Sequence, residues 1–253
     1  MNLASDEILI DLVDGGRIAG LTYLARDGRI SNISEKLGGI NAAVRANLEE
    51  IVALKPDLVI IAKFSHPDFI AQLKGAGIRT LLLEHFESID GVRKTIAEIG
   101  KAVCEEERAR ELIERMDREL DEIAKTHSGV KNKPRVLYYS PAGFTAGKDS
   151  IVDDIITHAG GINAVSEAGI YGNKKVSLEL IATLEPDVIV LSSYNPENPQ
   201  FAIELLKTDV MSELKAVKTG RVYVVEDRYL IGASHYIVEG VRKLSGLIYG
   251  GAR

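Results

Sequence analysis

The chain has 253 residues, 45% hydrophobic and 27% charged, the usual make-up of a folded globular protein with enough length for one or two domains. Its net charge of −6 excludes the basic footprint of a nucleic-acid binder, and no apolar run reaches the roughly 18–20 residues a membrane-spanning helix needs. Cys104 is the single cysteine, which excludes an internal disulfide and a cysteine metal cluster.

In chain order, the first segment reads as a helix with apolar positions Ile8, Leu9, Leu12 and Val13, and Ser5 or Asp6 is placed to cap it. Residues 17–22 read as a short strand, and a polar loop then leads to the glycine pair Gly38 and Gly39. Residues 48–54 form a helix that must stop before Pro56, because a residue preceding proline is pushed out of helical geometry. Residues 58–62 are a continuous apolar run, as in a parallel strand buried on both faces. A helix at 67–76, capped by Gly77, and a strand at 80–83 follow. Residues 89–125 are the most charged and most helical part. A segment at 92–103 precedes a long amphipathic helix whose stripe is Ala109, Leu112, Ile113, Met116, Leu120, Ile123 and Ala124. Cys104 falls between the two as a small packing residue. Beyond them come a strand at 135–139, helices at 151–159 and 178–184, a strand at 188–191, a helix at 201–206, a strand at 221–225 and a closing helix at 236–247.

The flanks of the long helix repeat each other. Residues 47–62 (NLEEIVALKPDLVIIA) match 177–192 (SLELIATLEPDVIVLS), and the pentapeptide GGINA stands upstream of each, at 38–42 and 160–164. The fold class expected is α/β: two similar lobes with mainly parallel central sheets, joined by one long α-helix. The N-terminal lobe spans 1–88, the linking helical segment 89–127 and the C-terminal lobe 128–253.

No Walker loop, G-x-G-x-x-G after a strand, G-x-S-x-G elbow or H-E-x-x-H occurs, and no nucleophile is paired with a base. An enzyme is not expected, no catalytic residue is assigned and no cofactor is called for. The five histidines lack metal-ligand spacing, so no metal site is assigned; a zinc-dependent enzyme or metal carrier using them is the alternative from another class. The strand-end loops hold something different. In the first lobe they carry Tyr23, Arg26, Arg45, Lys63, Phe64, His85 and the adjoining Phe86; in the second, Phe144, Thr145, Tyr171, Tyr194, Arg228, Tyr229 and His235. Ligands of parallel α/β sheets sit at the carboxyl ends of the strands. A cleft lined there by rings and cations suits a large, partly planar, anionic or oxygen-rich ligand.

On the repeated N-L-E-x-I-x-A-L-K-P-D-L-V segment at 47–62, the G-F-T-A-G-K-D-S stretch at 143–150, Gly160–Asn163 and G-R-V-Y-V-V at 220–225, nearly the whole chain resembles the ABC-importer substrate-binding proteins with two lobes joined by a rigid helix, which serve ferric siderophores, cobalamin and haem. The resemblance implies a monomer outside the cytoplasmic membrane, in the periplasm or membrane-anchored. It hands a small-molecule metal chelate or corrinoid to a permease with its ATPase, with no nucleic acid involved. The family begins with one more strand before the segment matching Asn2–Asp6, which implies that an export signal and that strand have been trimmed here. Arg26, Arg45 and Arg228 suit an anionic ferric siderophore, ranked slightly ahead of a corrinoid, since the tryptophan that cobalamin-binding members often stack on the corrin is missing. Haem ranks third: where haem-binding members place a tyrosine after the segment matching Gly38–Gly39, this chain has Asn41, Ala42 and Ala43. For permease docking the resemblance points to Asp68 on the first lobe and to Asp209 and Glu213 on the second. An acidic group capping a helix N-terminus accounts for each equally well.

Overall fold

The repeated segments take one local structure in the computed structural model, which describes residues 1–194 and 200–250. Asn47 accepts hydrogen bonds from the N–H groups of Glu49 and Glu50 (2.8 and 3.2 Å), and Ser177 accepts one from Leu180 (3.4 Å), so each copy opens as a capped helix. Each helix ends at a non-glycine residue in the left-handed region, Lys55 (φ 49°) and Glu185 (φ 44°), which turns the chain through Pro-Asp into a buried strand. Sixteen residues thus encode a cap, a helix, a reversal and a strand, twice.

Contacts divide the chain into two units. Unit 1 comprises Met1–Phe86, Asp90–Met116 and Gly232–Tyr236; unit 2 comprises Glu87–Ile89, Asp117–Ile231 and the chain from Ile237 onward. In order, the elements are α1 (Leu3–Leu12), β1 (Leu21–Thr22), β2 (Ala42–Val44), α2 (Leu48–Leu54), β3 (Val59–Ala62), α3 (Pro67–Gly75), β4 (Thr80–Leu83), α4 (Ile89–Ala102) and α5 (Glu106–Thr126). There follow β5 (Arg135–Tyr139), β6 (Phe144–Ala146), α6 (Ile151–His158), β7 (Ile162–Asn163), α7 (Ala164–Glu167), β8 (Asn173–Lys175), α8 (Leu178–Thr183) and β9 (Val188–Ser193). The last are α9 (Gln200–Leu206), α10 (Asp209–Ser212), α11 (Lys215–Lys218), β10 (Val222–Glu226) and α12 (Ile237–Tyr249).

Unit 2 is built on a parallel sheet in the order β10-β9-β5-β7, with β6 and β8 forming a separate antiparallel pair. Its core packs Leu137, Ile189 and Leu191 of the sheet against Val165, Ile181, Leu205 and Met211. Unit 1 has two parallel pairs, β1-β2 and β3-β4, and a smaller core of Val44, Ile51, Val59, Ile61, Phe69 and Leu73.

Several sequence expectations need correction. The cap of α1 is Asn2, whose Oδ1 accepts from the Ser5 N–H at 3.0 Å; Asp6 is instead buried, accepting from the Thr22 N–H and hydroxyl (3.0 and 2.5 Å). The strand expected at 17–22 shortens to Leu21–Thr22, because Gly15–Arg17 form a helical turn. The charged segment is two helices, as its spacing predicts, broken where Cys104 adopts φ 58°. Cys104 is exposed there, not packed. The GGINA pentapeptides are not structural equivalents: Gly160–Ala164 leads out of α6 through β7, whereas residues 38–42 lead into β2.

Candidate functional site

Parallel strands end on one side of their sheet, so the residues that follow the strands of one sheet lie on the same side of it. In unit 1, Tyr23 opens the helical turn Tyr23–Arg26 directly after β1; its ring is 52% exposed, with the Arg45 guanidinium 5.7 Å from its centroid. Arg45 follows β2, its backbone N–H held by Glu50 Oε2 at 3.1 Å. Arg26 is exposed at the end of the same turn. Lys63 and Phe64 form the turn after β3, pinned by Lys63 N–H to the Leu83 carbonyl and Ser65 N–H to that of Ala62, both 2.9 Å. Phe64 is 67% exposed and packs against Phe86 with centroids 5.1 Å apart. His85 follows β4, half-buried, with Nε2 3.7 Å from the Glu98 carboxylate.

In unit 2, Phe144 (β6), Tyr171 and Tyr194 are exposed, and the Lys148 ammonium lies 5.5 Å from the Tyr171 ring. Arg228 and Tyr229 lie in the turn Asp227–Tyr229 after β10. The Tyr229 ring carries Arg228 at 4.8 Å and Lys243 at 4.5 Å. Glu226 lies 2.8 Å from Lys243 and 4.0 Å from Arg228. Burial would raise its carboxyl, but the Lys243 hydrogen bond and nearby cations outweigh that and hold it below the usual range.

Two expected site residues are withdrawn from the surface. Thr145 is buried and donates its hydroxyl to the Tyr138 carbonyl at 2.7 Å. His235 is buried in unit 1, its Nε2 2.8 Å from Asp11 Oδ2, which also accepts from the Tyr236 hydroxyl at 2.7 Å. Thr145 turns back onto the adjoining strand and His235 meets a partner 224 residues away, neither of which loop position reveals. Lys148, Lys243 and Asp227 were missed. Lys148 sits within G-F-T-A-G-K-D-S, but Lys243 reaches Tyr229 from α12 with no local signal. Burial pushes the Asp227 carboxyl up, against a hydrogen bond from Ser192. Of the acidic surface residues, Asp68 opens α3 and is exposed, Asp209 opens α10, and Glu213 is exposed but paired with Lys218 at 2.6 Å. Among the described residues no group of three or more His, Cys, Asp or Glu is placed to hold a metal ion, and no helix is long and apolar enough to cross a membrane.

The arrangement offers rings backed by cations, which suits holding a ligand. Residues 1–229 match the family model described as periplasmic binding protein. The chain belongs to that family. It is a substrate-binding protein of the ABC-transporter class, a transport component and not an enzyme. It is 32% identical to the uncharacterized ABC transporter substrate-binding lipoprotein YvrC of Bacillus subtilis, over 97% of this chain and 77% of that protein. It is 26% identical to a cobalamin-binding protein of Halobacterium salinarum, over 98% of this chain and 68% of that one. Among solved structures, the apo periplasmic heme-binding protein RhuT from Roseiflexus sp. RS-1 matches with a TM-score of 0.85 at 25% identity, covering 100% of this chain and 97% of that one.

Proposed function

We propose that the protein captures a bulky, anionic iron chelate of the ferric siderophore type outside the cytoplasmic membrane and delivers it to an ABC importer. The observation that carries this reading is the pairing of rings with cations in the loops of each unit: the exposed Tyr23 with Arg45 in unit 1, and in unit 2 the exposed Tyr171 with Lys148 and the half-buried Tyr229 with Arg228 and Lys243. Rings supply contact area at little entropic cost, and the cations above them orient an anionic chelate. In unit 1, Phe64 and Phe86 add apolar surface and Arg26, Lys63 and His85 polar surface; in unit 2, Phe144 and Tyr194 add apolar surface.

A flat corrinoid or haem is the second reading, favoured by the uncharged Phe64–Phe86 pair and by relatives named for cobalamin and heme. Titration with a ferric siderophore panel, ferric citrate, cobalamin and haemin, followed by tyrosine fluorescence and visible absorbance, tests both. The chelate reading expects binding that weakens at high salt and about tenfold on Arg45→Met, the loss of roughly 1.4 kcal/mol. Tighter cobalamin or haemin binding, lost in Phe64→Ala and spared in Arg45→Met, favours the second reading. If nothing in the panel binds below about 10 μM, a range where specific uptake proteins would be expected to act, both fail. The proposed permease contacts are Asp68 on unit 1 and Asp209 and Glu213 on unit 2.

A further inference from the structure

The cations that lie over rings in unit 2 stand in two places, and these differ in charge balance. At the turn Asp227–Tyr229 the cations over the Tyr229 ring are already matched: Glu226 lies 2.8 Å from Lys243 and 4.0 Å from Arg228, and Asp227 adjoins them. The second place is the ribbon of β6 and β8 with the loops that continue it. Its lysines, Lys148, Lys174 and Lys175, are all exposed, and among the described residues none of the three forms an ion pair. Residues 143–150 and 169–176 hold a single acid, Asp149.

The ribbon holds these side chains in a fixed arrangement. In the antiparallel register Phe144 stands opposite Lys175, and Thr145 opposite Lys174. The ladder runs on past the strands, through Gly147 N–H to the Gly172 carbonyl (2.9 Å), Gly172 N–H to that of Lys148 (2.7 Å) and Lys148 N–H to that of Ile170 (2.9 Å). Gly147 permits this approach, because a Cβ there would collide with the Ile170 carbonyl oxygen. Side chains alternate along a strand, so Phe144 and Lys148 share one face with Tyr171 and Lys175, and Thr145 and Lys174 take the other. Thr145 marks the inner face, being buried and bonded to the Tyr138 carbonyl; Phe144 and Tyr171, on the outer face, are exposed. On that outer face the Lys175 stem crosses Gly143, its Cε 3.5 Å from where a Cβ would stand, and the Lys148 ammonium lies 5.5 Å from the Tyr171 ring. Four residues separate Phe144 from Lys148, about 13 Å at the rise of a strand, so two ammonium groups on flexible stems can meet opposite edges of one cargo molecule.

We propose that the ribbon face bearing Phe144, Lys148, Tyr171 and Lys175 recognises pendant carboxylates at the rim of the cargo, one at Lys148 and one at Lys175. An ammonium is a compact charge suited to a localised carboxylate, and the rings beside it give contact area to the rest of the molecule. The assignment rests on the cargo reading above and narrows it: the cargo carries free carboxylates, as ferric citrate does and a neutral trihydroxamate chelate does not.

The test uses Lys148→Gln, Lys175→Gln and, as the same charge removed from the inner face, Lys174→Gln. Ferric citrate is expected to bind the unaltered protein at least about tenfold more tightly than a neutral cyclic trihydroxamate chelate of iron. Its binding should weaken about tenfold in Lys148→Gln and in Lys175→Gln, and less than about twofold in Lys174→Gln. On a haem core the same preference reads as haemin over its dimethyl ester. Equal affinity for the carboxylate-bearing and carboxylate-free members of both pairs, or equal losses in all three variants, would overturn the proposal and leave the cargo reading in place. If no core binds, the cargo reading fails, and free citrate alone decides the proposal. An NMR titration must then shift the Lys148, Tyr171 and Lys175 amides in a saturable way that Lys148→Gln and Lys175→Gln abolish and Lys174→Gln spares. Shifts spread evenly over the exposed lysines, or none at all, would overturn it.

Discussion

Asp11 ties the segment Gly232–Tyr236 into unit 1, and removing its carboxylate has a cost that can be worked out from its contacts. One oxygen, Oδ2, accepts from the Tyr236 hydroxyl at 2.7 Å and meets His235 Nε2 at 2.8 Å; the other, Oδ1, lies 3.2 Å from the Lys36 ammonium. In Asp11→Ala the buried His235 and half-buried Tyr236 lose that partner, at about 1–3 kcal/mol for each group left unsatisfied. Lys36 is half exposed and swings into water at little cost. Discounting Tyr236 for its partial exposure gives about 3 kcal/mol, or a Tm lower by about 6–12 °C. The sign of the pH dependence is fixed too. Burial would raise the Asp11 carboxyl, but hydrogen bonds from His235 and Tyr236 and the nearby cations outweigh it, and the group is held well below the usual carboxylate range. Its contribution is therefore complete above the unfolded value of about 3.9 and lost as pH falls through the folded one. Thermal unfolding followed by circular dichroism should show the same deficit at pH 7 and pH 5, and a smaller one at pH 3. A Tm change under about 2 °C at pH 7, less than 1 kcal/mol for a chain of this size, would refute the reasoning. A deficit that widens on acidification would refute it as well.

Two further outcomes are expected. Gly160→Ala should cost about 3 kcal/mol in denaturant unfolding, since its φ of +87° is strained for an L-residue and the new Cβ would lie 2.7 Å from the His127 ring; a loss below about 1 kcal/mol counts against this. Asn163→Ala should destabilise unit 2 by about 2 kcal/mol, because its Nδ2 donates to the Ala146 carbonyl and Asp153 Oδ1, both at 2.8 Å, and its Oδ1 accepts from Val165; calorimetry decides.

What could be read from the residues was whatever is local. A cap, a helix of seven residues, a proline stop and an apolar run follow one another within residues 47–62, and each step is governed by its neighbours, so α2 with β3 and α8 with β9 were legible. The pairing of β6 with β8 was not. Asn173–Lys175 are all exposed, show no alternation and meet β6 only after α6, β7 and α7 have intervened. Asp6 and Glu7 look like ordinary first-turn acids. The fold instead buries both: Glu7 accepts from the Asn32 N–H (2.8 Å) and the Ser234 hydroxyl, and burial pushes Asp6 up to about 6. The ring-bearing loops were found because aromatics are few, 14 in 253 residues, and so few rings outside the apolar stripes stand out. Of the cations over those rings, Arg45 and Arg228 were identified because they stand in loops that follow strands; Lys243, inside α12, was not.

The assignment of Gly232–Tyr236 to unit 1, while the chain on both sides belongs to unit 2, has a consequence for how such a protein can be recombined. No single cut releases either unit intact. A chimaera that takes everything after Met116 from a homologue imports a foreign version of Ser234 and His235 to meet the resident Glu7 and Asp11. Grafts that exchange the ring-bearing loops of unit 2 should therefore leave these five residues at home, or carry α1 along with them.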